Sequence, residues 1–373
     1  MPLTAATDET RAWLGLLRAP GLGAAGVRAL VGRHGDAQAA QQAAVHDSRL
    51  DADTRAWLAA PDAGMLDRDL DWLAAADHHL VVATDADFPS LLCDAPNPPA
   101  ALFVSGDPTV LWTPQIAIVG ARNATRDGLG NARAFAQALA RAGNTITSGL
   151  AEGADGAAHE GALDAGGRTL AVLGTGPDQV YPRRHEALAR RIAESGALVT
   201  EFPPGTPGRP ENFPRRNRII AGLALGTLVI EASLKSGSLI TARLAGEAGR
   251  EVFALPGSIH SPLARGCHRL IRDGAKLVET AEEILVELHG IGGRLAQNLR
   301  QRLDTTTGAV CPAPEPARDP EYARLLAALD TRPVALDELV ERTGLAPAAL
   351  SSMLLVLELD GVIATENGRY ARR

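Results

Sequence analysis

Residues 213–242 read FPRRNRIIAGLALGTLVIEASLKSGSLITA, and the organisation of the chain can be followed outward from them. Arg215, Arg216 and Arg218, with one aromatic residue, Phe213, stand just before Thr227-Leu228-Val229-Ile230, a short apolar run of the buried-strand type. Ser236-Gly237-Ser238 then forms a small, flexible turn that opens a helical pattern. Backbone N–H groups at a helix start favour anions. Combined with basic side chains and an aromatic face, they suit a chain of phosphates carrying unstacked bases. The stretch therefore points to single-stranded nucleic acid.

On either side of it, short apolar runs alternate with amphipathic stretches. Strands are expected at Ile116–Val119, Thr145–Thr147, Leu170–Leu173, Leu198–Thr200, Thr227–Ile230 and Val252–Leu255, and helices around 128–142, 155–165, 185–195 and 238–249. Such alternation predicts an α/β core, a Rossmann-like parallel sheet covered on both faces. Residues 1–79 read as a small all-helical module, in which Pro20-Gly21-Leu22-Gly23 separates two helical faces. A helix-hairpin-helix (SAM-like) element and an ordinary glycine turn in a compact helical module both fit; only Arg28 and Arg33 lie nearby. Residues 80–112, rich in proline, read as an irregular packed connector, so that 80–289 holds connector and core. Residues 290–319 lose periodicity and end in a run of prolines, as a linker does. Residues 320–373 predict a winged helix: helices at 321–329, 336–342 and 347–359, then a hairpin about Asn367-Gly368, a favoured type I′ turn pair. The recognition helix, Pro347 to Asp360, contains no Lys or Arg, which argues against base reading by it.

Composition narrows the function. The 373 residues are 46% hydrophobic and 22% charged, as in a folded protein of two or three domains. A net charge of −7 argues against non-specific coating of nucleic acid, so a basic site must be local. Aromatics make up only 3%, which makes Phe213 beside arginines conspicuous. Cys93, Cys267 and Cys311 are far apart, with no CxxC spacing, so neither a zinc site nor a disulfide framework is indicated. No apolar run reaches the length of a membrane span, and the first residues lack the pattern of a signal peptide. A cytoplasmic protein without metal or cofactor is the expectation.

The loops at the strand ends carry the chemistry. Val119-Gly120-Ala121-Arg122 closes the first core strand, where open α/β sheets place ligands, but the spacing of G-x-G-x-x-G is missing. Arg122 reads as a ligand contact or a surface ion pair. Ser148-Gly149-Leu150-Ala151 follows the second strand; its small residues allow close approach of a phosphate. Asp155 reads as a helix N-cap. His159, four residues on, pairs with it or packs in the core. Gly174-Thr175-Gly176 and Tyr181-Pro182-Arg183-Arg184-His185 follow the third strand.

Taken together, these motifs resemble the DprA/Smf family, the bacterial DNA-processing protein A of natural transformation. The resemblance runs through VGAR at 119–122, SGLA at 148–151, AH at 158–159, AVLGTG at 171–176, YP at 181–182, FPRRNRIIAG at 213–222 and SGSLITA at 236–242, and continues in VFALPG at 252–257 and GAKLV at 274–278. It implies a homodimeric cytoplasmic protein that binds incoming single-stranded DNA, protects it and loads the RecA recombinase onto it, with no chemical turnover. Carried over by motif, Arg122 and Arg183 hold phosphates. Ser148 and Gly149, Phe213, Arg215, Asn217 and Arg218, and Lys235, Ser236, Gly237 and Ser238 line the same groove. Ala121, Ala154 and His185 stand where the family usually has Ser, Ile and Asn. The rival reading is an enzyme acting on a nucleotide or nucleoside monophosphate, for which Glu201 and Glu231 are the available carboxylates. A structural adaptor organised by the winged helix would leave the arginine cluster without a purpose.

Overall fold

The computed structural model describes residues 7–288 and, beyond them, residues 325, 328–329, 334–343, 345, 350, 354, 363–366 and 369–372. The chain divides into two compact units, Met1–Arg302 and Leu303–Arg373.

In the first unit, helices α1 (Asp8–Arg18), α2 (Gly23–His34), α3 (Ala37–Val45), α4 (Ala52–Ala59) and α5 (Ala63–Leu73) precede the sheet. Nine strands then form one sheet among the described residues: β1 (His78–Val82), β2 (Ala101–Gly106), β3 (Gln115–Val119), β4 (Thr145–Ser148), β5 (Thr169–Val172), β6 (Ala197–Thr200), β7 (Gly226–Val229), β8 (Glu251–Ala254) and β9 (Lys276–Leu277). Their order is β1-β2-β6-β5-β4-β3-β7-β8-β9. Neighbours from β6 to β9 run parallel, whereas β2 is antiparallel to β6 and β1 to β2. The Rossmann-like core is thus extended at one edge into a mixed sheet. From β3 the chain builds outward through β4, β5 and β6, then returns to lay β7 on the other side of β3. The carboxyl ends of β3 and β7 therefore flank a topological switch point, where loops diverge and leave a crevice.

Alternating side chains supply both cores. Ile116 and Ile118 of β3 face a layer with α7 (Arg126–Arg141) and α8 (Ala154–Asp164), while Ala117 and Val119 face the layer holding α10 (Asn212–Leu223) and α11 (Ser238–Glu247). Two further helices, α6 (Ser90–Cys93) and α12 (Arg265–Arg272), add Leu92 and Cys267 to the second layer, and α9 (Glu186–Ser195) covers β5 and β6. The six parallel strands β3–β8 match the expected runs to within a residue or so, because each is a largely buried, mostly apolar run bounded by Gly, Asn, Pro or charged residues; β9 adds two exposed residues at the edge beyond them.

Two features depart from the sequence reading. The expected irregular connector contains β1 and β2: its prolines cluster before Ala101 and at Pro108, outside the strand, and Leu102 and Val104 face one core while Ala101 and Phe103 face the other. That second core is shared with Trp13, Leu16, Val27 and Leu66, so helices α1–α5 cover the outer face of the antiparallel edge. Arg18 of α1 ties this layer to the loop after β6 by donating to Asp69 (2.5 and 2.6 Å) and to the Pro204 carbonyl (2.8 Å). The basic residues near the glycine turn are engaged locally, Arg28 with the Pro99 carbonyl (3.3 Å) and Arg33 with Asp47 (4.0 Å). The other departure is α10, which the sequence reading did not anticipate as a helix. Pro214 stands in its first turn, where the ring is tolerated, and Arg216, Ile219, Ile220 and Leu223 form its buried stripe.

In the second unit, β10 (Val334–Ala335), β11 (Ile363–Glu366) and β12 (Arg369–Arg372) form a small antiparallel sheet in the order β10-β12-β11, with α13 (Leu336–Thr343) between the first two in sequence. Leu325, Leu339, Leu350 and Leu354 share one core there, as in a winged helix. The expected linker, the hairpin tip Asn367-Gly368 and most of the recognition helix lie outside the described residues.

Candidate functional site

At the switch point a cavity of about 540 Å³ opens between the end of β3, α10 and the start of α11. Gly120 and Arg122 come from the β3 end, Phe213 and Asn217 from α10, and Lys235, Ser236, Gly237 and Ser238 from the loop leading into α11. These are seven of the twelve residues expected from sequence, plus Gly120. Arg122 and Lys235 are exposed cations. α11 starts at the cavity with Gly237 as its N-cap; the Ser236 and Ser238 hydroxyls bond each other (2.7 Å), and Ser238 N–H and Leu239 N–H turn back onto the Ser236 hydroxyl (3.4 Å) and carbonyl (3.2 Å). The dipole of the helix adds positive potential at the same place.

The aromatic content of the site is larger than expected. Phe213 is half-buried, with its ring close over Gly174: a Cβ there would come within 2.8 Å of it. The Arg122 guanidinium stands 5.7 Å from the Phe213 ring centroid, and the Tyr181 ring lies 5.4 Å away at 44°. Tyr181 also lines the cavity and is 53% exposed, so it offers the freer aromatic face. A tyrosine next to proline gave no sequence signal beyond the family motif.

Five expected residues are placed elsewhere. Ser148 is the last residue of β4 and points inward; its hydroxyl donates to the Ile118 carbonyl (2.6 Å). Gly149 is buried against the Arg216 guanidinium. Arg183 sits on an exposed 3-10 turn, Arg183–His185, outside the cavity wall. Arg215 is exposed and lies 5.5 Å from the Phe202 ring centroid. Arg218 donates to Glu201 (2.6 Å) in a pair whose side chains are only 16% and 7% exposed. On a helix, residues at successive positions face different directions, so three arginines within four residues cannot share one groove.

Both carboxylates considered for chemistry have structural partners. Glu201 holds Arg218, and Glu231 accepts from the Thr125 backbone N–H (2.8 Å) and hydroxyl (2.7 Å). The Thr125 hydroxyl in turn caps α7 by accepting from Gly128 N–H (3.0 Å), and Gly128 leaves room for the Glu231 carboxyl, which a Cβ would approach to 2.5 Å. Asp155 is not an N-cap. Gly153 occupies that position, and the Asp155 carboxylate accepts from Gly149 N–H (3.1 Å) and Ala151 N–H (3.4 Å), bracing the loop after β4. Burial pushes its carboxyl upward, while the Arg216 charge draws it back. Among the described residues no group of three or more His, Cys, Asp or Glu is placed to hold a metal ion, and no helix is long and apolar enough to cross a membrane.

His159 packs in the core rather than with Asp155. The Thr169 hydroxyl donates to the Ile146 carbonyl (2.6 Å), so it must accept from His159 Nδ1–H (2.7 Å). That fixes the tautomer and leaves Nε2 as a buried lone pair without a partner. Burial pushes the ring down to about 3. The unfolded chain takes up this proton near pH 6.5 and the folded chain does not, so His159 contributes stability above pH 6.5 that is lost as pH falls towards 3, at most about 1.4 kcal/mol per pH unit. Asp155, raised, acts in the opposite direction below neutrality. The expected result is therefore comparative: His159→Gln flattens the fall in urea midpoint between pH 6.5 and 4, and an unaltered pH profile would refute the assignment.

The profile of the DNA recombination-mediator protein A family matches residues 79–289, and that of the DprA winged helix domain matches residues 311–369. The chain is 43% identical over 308 residues to Protein Smf of Escherichia coli, covering 82% of this chain and 80% of that protein. It is 44% identical over 200 residues to DNA processing protein DprA of Streptococcus pneumoniae, covering 54% and 71%. The X-ray structure of DprA from Streptococcus pneumoniae superposes with a TM-score of 0.67 at 33% identity, covering 77% of this chain and 99% of that one. DNA processing protein A from Helicobacter pylori, whose structure concerns its single-stranded DNA binding mode, gives 0.51 at 28% identity, covering 57% and 96%.

Proposed function

The chain belongs to the DNA recombination-mediator protein A family, and from that premise we propose that it binds single-stranded DNA in the cavity at the switch point. In this reading it acts without chemical turnover, as a cytoplasmic homodimer that delivers the strand to a RecA-type recombinase during natural transformation. One observation carries the reading: two exposed cations, the positive end of a helix and two aromatic rings converge on a single cavity. Phosphates are held by Arg122, Lys235 and the start of α11, while bases rest on the Tyr181–Phe213 pair, an arrangement indifferent to sequence. The binding of single strands by the Helicobacter pylori relative supports this use of the fold. The enzyme reading has less support. Among the described cavity-lining residues Asp155 is the carboxylate, and two backbone amides already hold it.

The division of labour follows the modules: helical residues 1–79, the binding core in 80–289, a tether at 290–319 and the winged helix at 320–373. Titration with labelled single-stranded and double-stranded oligonucleotides, with mononucleotides as competitors, tests the proposal. Strong single-strand preference that mononucleotides fail to compete is expected. Effective competition by a mononucleotide would favour the enzyme instead. A chain ending at residue 302, the boundary of the first compact unit, is expected to keep nearly full affinity for a short strand. Abolished binding would make the winged helix the DNA reader.

A further inference from the structure

Arg216 breaks the pattern of the helix it belongs to. It occupies the apolar stripe of α10 with Ile219, Ile220 and Leu223, and is 4% exposed. A buried guanidinium is retained only where the protein holds it closely. Its Nη1 donates to the Val172 carbonyl at the end of β5 (2.5 Å). The guanidinium lies against Gly149, the first residue after β4, where an added Cβ would fall 2.0 Å from Nη1 and 2.5 Å from Cζ. Gly149 does not adopt a positive φ, so the space, and not the backbone conformation, requires glycine. The Gly149 N–H meanwhile donates to Asp155 (3.1 Å), the opposite charge on α8. Burial lowers the arginine only to about 10, which keeps it charged at neutral pH. The ends of β4 and β5 and α10 thus meet at one side chain, and α8 joins them through the Asp155–Gly149 bond.

We propose that Arg216 is a positioning residue for the groove: bonded to the Val172 carbonyl and packed on Gly149, beside the opposite charge of Asp155, it fixes α10 and thereby sets where Phe213 and Asn217 stand on the cavity wall. This rests on the single-strand reading of that cavity. Arg216 also borders the cavity, and its Nε has no partner, so the competing role is direct contact with a phosphate. The two roles differ in salt dependence, because a lost phosphate contact lowers the log–log slope by about 0.7 and a misplaced helix does not.

The test measures the affinity of the full chain for an oligothymidylate across salt concentrations. Gly149→Ala removes no groove side chain but drives the guanidinium from its place. A loss of roughly tenfold or more with unchanged slope is expected, since a base that no longer meets the displaced Phe213 ring loses its stacking contact. Arg216→Lys should behave alike, keeping the charge without the planar fork. In an Asp155→Asn, Arg216→Met background the space is vacated, and adding Gly149→Ala should have no further effect, a coupling that a double-mutant comparison isolates. Unchanged affinity in folded Gly149→Ala would overturn the proposal. So would a slope lowered by about 0.7 in the Asp155→Asn, Arg216→Met protein. If Gly149→Ala does not fold, folded Arg216→Lys with unchanged affinity overturns it equally. Failure of the unaltered chain to bind the strand would instead refute the single-strand reading itself.

Discussion

Replacing Arg122 and Lys235 together by alanine is expected to weaken single-strand binding by roughly 10²–10⁴-fold at low salt. Each supplies a charge-assisted contact worth about 1.5–3 kcal/mol, and each factor of ten corresponds to about 1.4 kcal/mol. Both side chains are exposed and neither forms an ion pair among the described residues. Folding stability should therefore change little, apart from about 0.5–1 kcal/mol for the Arg122 guanidinium over Phe213. The diagnostic quantity is the salt dependence. A single strand loses about 0.7 in log–log slope for each phosphate no longer neutralised, so the double variant should fall by about 1.4. Arg122→Lys separates charge from geometry: it should keep the slope and lose part of the affinity, because an ammonium cannot make the two-pronged contact of a guanidinium. A folded double variant with the original slope would show that strands run elsewhere on the molecule.

Much of this is legible in the sequence. Six core strands announce themselves because a parallel strand buried on both faces is an uninterrupted apolar run, and the switch point follows from their order in space. Arg122 and Ser236 to Ser238, which touch the cavity from loop ends, are legible as well, since an arginine at a strand end and a small, flexible turn at a helix start suit an anion, whereas Lys235 enters only through the family resemblance. What failed was the assignment of faces. Without α10 as a helix, the arginines of 215–218 look equivalent; with it, each points a different way, Arg216 into the core, Arg215 to solvent and Arg218 to Glu201. The double arginine and Pro214 disguise the helix, whose period emerges only when a charged residue is counted as buried. Ser148 failed for a related reason: as the last strand residue its side chain has an inward direction that a loop residue would not have. Asp155 has the right type and place for a cap, but Gly153, at φ 78°, starts the helix earlier, and a Cβ there would fall 2.3 Å from the Ala121 carbonyl oxygen.

Arg218→Ala should then act on folding and not on DNA. Its partner, Glu201, is 7% exposed, so truncating the arginine leaves a carboxylate buried and unpaired, which typically costs about 3–5 kcal/mol. The pair itself is no great source of stability. Its contact runs through a single Nη2···Oε2 bond of 2.6 Å, and Arg218 Nη1 and Glu201 Oε1 are both buried without partners. Removing both charges, as in Glu201→Leu with Arg218→Met, should therefore recover most of the loss, because two desolvated ions are replaced by apolar side chains of similar volume. Arg215→Ala, three residues earlier, provides the contrast: its exposed guanidinium over Phe202 is worth no more than about 0.5–1 kcal/mol. Urea unfolding of the three variants, paired with strand affinity per folded molecule, decides the matter. A strongly lowered midpoint for Arg218→Ala, restored in the double variant and with affinity unchanged, places the Arg218–Glu201 pair in the scaffold beneath the groove. If Arg218→Ala instead unfolds at the original midpoint but binds the strand poorly, Arg218 leaves Glu201 when DNA arrives and belongs to the phosphate grip.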